Sequence, residues 1–296
     1  MMFKEEYTMK NTLLTSFLAS ALLLSSCSQI SKEEIVDRAT NAAIRGAITL
    51  VIPITPQQEA QIGEATKAQI FQQMKPYTAT PALVSYVQGI GNRLAQRAKR
   101  RSEVNYQFYL VESPDVNAFA IPGGGVFVTT EALKYMRNEA ELAAVIGHEI
   151  GHVDENHGTE SIKRAMLLQN VAEGALSTND PQLVKLLASI VLDLTLKGFS
   201  REQEREADRV GVELAVAQSY APSGLTGFLN TLLQLSGGDP DGLWAFVATH
   251  PGSAERIGLL NTYIREKGLQ PANPVLNEAQ YLRQIAVLPP KLKKNK

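Results

Sequence analysis

At 296 residues the chain can bury one substantial core, with room for a second unit only if the first is compact. A formal net charge of -1 and an ordinary composition supply no strong field to recruit nucleic acid, so that class of partner is excluded. The single cysteine, Cys27, excludes an internal disulfide framework and points to some other use near the N-terminus.

Lys4 and Lys10 precede an uncharged stretch over residues 11–26, whose apolar centre at 13–24 is too short to span a bilayer as a helix. Residues 1–26 therefore read as a signal peptide. The run Leu24-Ser25-Ser26-Cys27 resembles the lipobox of bacterial lipoproteins, in which cleavage before the cysteine is followed by its lipidation. Several acyl chains would make such anchoring stable. The alternative is a plain signal peptide, or an uncleaved anchor, with an incidental cysteine. Ser28 stands where an aspartate would resemble an inner-membrane retention signal, so this resemblance implies the periplasmic face of the outer membrane. Residues 27–56 then form a lipidated N-terminus and tether.

Apolar residues recur at helical spacing over 57–74 and 81–100, predicting two amphipathic helices. The period changes to two over 105–111, and residues 118–130 hold two further short strands around Pro122-Gly123-Gly124-Gly125, predicting a small antiparallel sheet. Residues 131–267 read as largely helical, with breaks near 177–181, 219–224 and 236–242. The apolar segment 183–199 is interrupted by Lys185, Asp193 and Lys197, so a packed helix is expected there in place of a membrane span. The proline-containing stretch from Gln270 to the lysines of 291–296 reads as a solvated tail. The expected fold class is α+β, mainly α, with one domain over 57–268 and a tail over 269–296.

The chemistry sits in Gly147-His148-Glu149-Ile150-Gly151-His152. Residues four apart on a helix share a face one turn from each other, so His148 and His152 can grip one ion through their imidazoles. Glu149 cannot join them as a ligand without distortion, but it can take a proton from an attacking water. Two solvated histidines at a polar helix end would be the bland reading, and the apolar run leading into the motif argues against it.

A catalytic zinc site needs a third protein ligand. The metzincin pattern requires glycine at 155 and histidine at 158, whereas this chain has Glu155 and Gly158, with His157 one residue out of register. The segment 200–211, SREQEREADRVG, offers three glutamates instead. Glu202, Glu206, Arg209 and Glu213 share one charged face that reads as solvent-facing. Glu204 points the other way, along a face continued by Asp208, Gly211 and Ala215, residues suited to close approach by a helix carrying a metal site. Asp208, one turn on, suits acceptance of the free ring N–H of a ligand histidine; an ion pair with Arg201 or Arg205 is its alternative.

These segments resemble one family of zinc endopeptidases, which includes the CAAX prenyl proteases and the HtpX-like and BepA-like proteases. The resemblance spans about residues 65–266 and rests on NAFAIPGGGVFVT at 117–129, HEIGH at 148–152, SREQEREADRVG at 200–211 and THP at 249–251. It implies a zincin-like fold, one Zn2+ per chain, and Glu204 as the third ligand beside His148 and His152. It also implies an active-site edge strand within 119–128, where Phe119, Ala120, Gly123, Gly124 and Val126 would meet an extended substrate peptide that adds as one more strand. From sequence alone, Gly123 to Gly125 is equally well a hairpin turn. His250, in Ala248-Thr249-His250-Pro251-Gly252, would be an ordinary loop histidine without the resemblance. With it, two roles are distinct: an N–H donor to the tetrahedral oxyanion, or a fourth zinc ligand that keeps the enzyme latent, the second being favoured.

The expected function is zinc-dependent endopeptidase activity on unfolded or misassembled envelope proteins, with Glu149 as general base and the membrane reached through lipidated Cys27. A latent, protease-like chaperone for outer-membrane proteins is the second reading. A structural zinc protein is the third, though a structural site would have no need of Glu149.

Overall fold

The computed structural model describes residues 54–168, 181–236, 244–251 and 253–290. The signal peptide, Cys27, nearly all of the tether, the lysines of 291–296 and most of the breaks expected near 177–181 and 236–242 lie outside those residues.

Helix α1 (Pro56–Gln73) starts at a capping box in which the Thr55 side chain and Gln58 satisfy each other's backbone N–H groups. Helix α2 (Pro81–Ala95) ends earlier than its apolar period suggests, because Asp154 draws the N–H groups of Lys99 and Arg100 to 2.8 and 3.0 Å. Three strands follow, β1 (Gln107–Val111), β2 (Ala118–Ile121) and β3 (Gly125–Thr129), then α3 (Thr130–Tyr135) and α4 (Glu139–Asp154). The remaining helices are α5 (His157–Leu168), α6 (Pro181–Lys197), α7 (Arg201–Ala217), α8 (Gly224–Ser236), α9 (Trp244–Thr249), α10 (Ser253–Glu266) and α11 (Glu278–Ile285).

The sheet is mixed, which corrects the antiparallel sheet expected from sequence. Its order is β1-β3-β2, with β2 antiparallel and β1 parallel to β3. Alternation specifies which side chains share a face and says nothing of which strand is the neighbour. Here the β2–β3 hairpin folds so that β3 enters between its two predecessors. Gly123 and Gly124, at φ +82° and +94°, make that reversal in the left-handed region.

Both faces of the sheet are covered, each by its own cluster. Phe108, Leu110, Val126 and Val128 pack toward α2, α4 and α8, whereas Phe119, Ile121 and Phe127 pack toward α1, α5 and α6. Helix α6 is the packed helix expected from its interrupting charges: Leu187, Ile190 and Val191 are buried on the second cluster. Among the described residues no helix is long and apolar enough to cross a membrane.

The solvated tail is also corrected. Val275 bridges to Tyr220, and Tyr281 of α11 is fully buried with its hydroxyl donating to the Leu133 carbonyl. Tyr281, Ile285 and Leu288 recur at helical spacing and pack in or against the main core, which folds this segment back.

Candidate active site

Every residue of α4 is buried, and α7 crosses it at unusually close range. A Cβ added to Gly211 would come within 2.7 Å of the His148 nitrogen, and one on Gly147 within 2.9 Å of the Gly211 carbonyl oxygen. Glycine on both helices lets the backbones meet, which carries Glu204 onto the His148–His152 face. His148 Nε2 and His152 Nε2 lie 3.0 Å apart, and Glu204 stands 3.5 and 3.4 Å from them. His250, just beyond α9, brings Nδ1 to 3.1 Å from Glu204 Oε2 and 3.3 Å from His148 Nε2. Its Nε2 lies 3.2 Å from the Ala118 carbonyl of β2, and its ring stacks on Phe246.

One atom from each of His148, His152, Glu204 and His250 falls within 4.8 Å of all the others, and all four side chains are at most 2% exposed. Three imidazole nitrogens and a carboxylate oxygen form a donor set that suits tetrahedral Zn2+. Glu149, also fully buried, has no hydrogen-bond partner at either carboxylate oxygen, and His250 Nε2 stands 3.6 Å from Oε1. Burial raises its pKa, against the pull of His250 and His148. A buried carboxylate without partners is costly unless something else is to occupy its lone pairs, and a reacting water is such an occupant.

Asp208 Oδ1 lies 2.9 Å from His148 Nδ1, an ion-pair contact with poor hydrogen-bond alignment. Its cationic partner is Arg256 of α10, which replaces the Arg201 or Arg205 considered from sequence. Arg256 Nε and Nη2 donate to Asp208 at 2.8 and 2.6 Å, while Nη1 meets Glu204 Oε2 at 2.6 Å and the His250 carbonyl at 3.3 Å. Arg201 and Arg205 both pair with Glu255 instead. Burial would raise the Glu204 carboxyl, but His250 and Arg256 hold it well below its usual range. Burial likewise opposes ionisation of Asp208, and Arg256 and His148 outweigh it. Burial pulls His148 down, yet Asp208 and Glu204 together raise it to about 9. His152 is pushed well below its usual value, chiefly by burial.

Residues 81–264, more than half of the chain, match the family model for peptidase family M48. The chain belongs to peptidase family M48. It is 32% identical over 157 residues to the mitochondrial metalloendopeptidase OMA1 of Arabidopsis thaliana, covering 53% of this chain and 31% of that one. It is 30% identical over 212 residues to the beta-barrel assembly-enhancing protease of Escherichia coli K12, covering 68% of this chain and 42% of the relative. Against metalloprotease YcaL of the same organism it is 30% identical over 260 residues, 84% of this chain and 95% of that protein. The chain thus spans less than half the length of the first two relatives and nearly all of the third.

Within this M48 domain the expected substrate residues separate. Phe119 and Ala120 lie on β2, one of the two outer strands, although every residue of β2 is buried. Val126 is corrected: it sits in the central strand, pairs on both sides and is fully buried in the core. Gly123 and Gly124 lie beyond the end of β2 opposite Ala118, where Gly123 N–H donates to Glu59 Oε1 at 3.1 Å and Gly124 packs on Val104 and Asn105. They form the hairpin turn. Glu206 is corrected too, since it is not simply solvated: its Oε2 lies 3.0 Å from His157 Nε2. Sequence reading gave His157 no role and missed Arg256 and Phe199, whose ring stacks on His152 at 4.0 Å. Only His157 left a local signal, its position five residues after His152.

Proposed function

We propose that this chain is a zinc-dependent endopeptidase that hydrolyses peptide bonds in unfolded or misassembled proteins of a bacterial envelope. The observation that carries the reading is the buried four-residue donor cluster with the unpartnered Glu149 carboxylate beside it. Membership of peptidase family M48 and near full-length similarity to a metalloprotease support it. Zn2+ held by His148, His152 and Glu204 would polarise the scissile carbonyl and acidify the attacking water. Glu149 takes the proton of that water as its oxygen joins the carbonyl carbon, then delivers the proton to the amine nitrogen as the C–N bond breaks. Arg256 occupies Glu204 Oε2, leaving Oε1 as the freer ligand atom. Asp208 keeps His148 oriented through Nδ1.

His250 serves as a fourth ligand that restrains the enzyme at rest. Its Nδ1 lies among the ligand atoms, and the whole cluster is shut from solvent, both of which support latency over a standing oxyanion donor. Substrate entry then requires His250 to leave and the β2 edge to open, so that a peptide can add beside Phe119 and Ala120. Residues 1–26 are the signal peptide, Cys27 the lipidated anchor on the outer membrane, and residues 57–268 the catalytic domain. The closed site also favours a second reading, a latent chaperone for envelope proteins; one relative's name, beta-barrel assembly-enhancing protease, fits either.

The test is cleavage of an unfolded protein such as reduced casein by the full chain. Chelation should abolish cleavage and one equivalent of Zn2+ should restore it. Cleavage indifferent to chelation contradicts the metal reading, and metal binding without cleavage by either wild type or His250→Ala favours the chaperone.

A further inference from the structure

The two histidines of α4 have differently built supports. His148 Nδ1 meets a carboxylate, Asp208, that is itself clamped by Arg256. His152 Nδ1 meets another histidine: His157 Nδ1, 2.9 Å away. His157 Nε2 in turn lies 3.0 Å from Glu206 Oε2. The chain of contacts fixes every proton in it. His152 Nε2 faces His148 and Glu204, so as a ligand it keeps its lone pair there and carries hydrogen on Nδ1. That Nδ1–H donates to His157 Nδ1, which must therefore be the unprotonated nitrogen. His157 then carries its hydrogen on Nε2, aimed at a carboxylate that can only accept.

The fold builds this contact deliberately. Asn156, at φ 61°, turns the chain in the left-handed region between α4 and α5, and the first residue of α5 comes back against His152. His157 is fully buried, and its carbonyl accepts from Ser161 Oγ at 2.8 Å. Glu206 reaches it from α7, the helix that also supplies Glu204. Phe199 closes the flat face of His152, so the ring is held in plane by stacking and in rotation by hydrogen bonding.

We propose that His157, buttressed by Glu206, is a positioning residue that holds His152 in its Nδ1–H tautomer with Nε2 aimed at the metal. This rests on the metal reading above. Partners of this kind typically account for ten- to a hundredfold in metal affinity.

The experiment is zinc affinity of the full chain by chelator competition, alongside melting of the metal-free protein and the visible d–d bands of the cobalt-loaded form. His157→Leu removes the acceptor and should weaken zinc by about ten- to a hundredfold and shift the cobalt bands. His157→Asn places an amide oxygen near the lost Nδ1 and should recover most of that affinity. Glu206→Ala, at a partly exposed position, should weaken zinc by about threefold to tenfold with the metal-free melting temperature unchanged. If His157→Leu fails to fold, His157→Asn and Glu206→Ala decide alone. Zinc affinity within about twofold of wild type in His157→Leu or Glu206→Ala, or an Asn variant as weak as Leu, overturns the proposal. Wild type that binds no zinc overturns the metal reading and this inference together, whereas wild type that binds while the variants match it overturns only the relay.

Discussion

The buried cluster is approached from two sides that are made in different ways. On the helix side, α4 and α7 touch backbone to backbone at Gly147 and Gly211, and Arg256 ties Asp208 to Glu204 through three short contacts. On the strand side, the His250 ring meets β2 at the Ala118 carbonyl, Thr249 Oγ1 donates to Asn117 Oδ1 at 3.4 Å, and both residues lie where a six-residue helix ends. The first arrangement has no slack: shifting α7 would move a ligand and its supports together. The second joins the sheet side only by side-chain contacts, with no backbone crossing like that of Gly147 and Gly211, among the described residues. Under the proposed function, metal holding falls to the helix side and access to the strand side.

Glu204→Ala should break the helix side most severely. It removes a ligand and leaves Arg256 and His148 facing a hole, so zinc should be lost on dialysis. The metal-free protein should lose about 3–5 kcal/mol in denaturant unfolding, the usual cost of stripping one partner from a buried ion pair. Retained zinc would move the third ligand elsewhere. Gly211→Ala tests the crossing itself. Its methyl would meet the His148 backbone, which cannot swing aside as a side chain could, so up to about 3 kcal/mol of stability should go together with part of the zinc affinity. A neutral Gly211→Ala would mean that the close crossing does not set the ligand spacing.

On the strand side the expected sign is opposite. His250→Ala should leave the fold intact, raise basal cleavage of an unfolded protein by about tenfold, and expose the metal to small chelators. A fall in cleavage would instead make His250 an oxyanion donor.

A smaller effect should appear with pH. In the metal-free protein His148 holds its proton to about pH 9, because Asp208 and Glu204 overcome the burial that would otherwise lower it from 6.5. The charged ring contributes stability that is fully present below about pH 6.5 and lost as pH rises through about 9. Zinc must displace that same proton, so zinc affinity should rise over the same window by at most about tenfold per unit. Melting of the metal-free protein and zinc titrations across pH 6 to 10 should therefore slope in opposite directions.

The helix side was legible in the sequence because its information is local. Four-residue spacing joins His148 to His152 and Glu204 to Asp208, and the small residues of α7 mark the face that another helix approaches. What pairs with what across the chain was not legible. Arg256 reaches Asp208 over 48 residues of sequence, and His157 meets Glu206 over 49, with no periodicity to announce either. The strand side failed for the same reason. Alternation placed Phe119 and Val126 in strands, but the insertion of β3 between β1 and β2 put the first on an edge strand and the second on the central one. The C-terminal segment was misjudged because the helix that carries Tyr281 packs on α2 and α4, far away in sequence.

Under the proposed function, Glu149 works as a base beside a metal held by other residues. Glu149→Gln tests it most directly, with zinc stoichiometry, far-UV circular dichroism and cleavage of reduced casein measured on one preparation, ideally with His250→Ala as the shared background so that latency cannot mask turnover. The predicted result is one zinc per chain, an unchanged fold and turnover lowered by at least about a hundredfold. Turnover near that of the parent, with zinc in place, would contradict it.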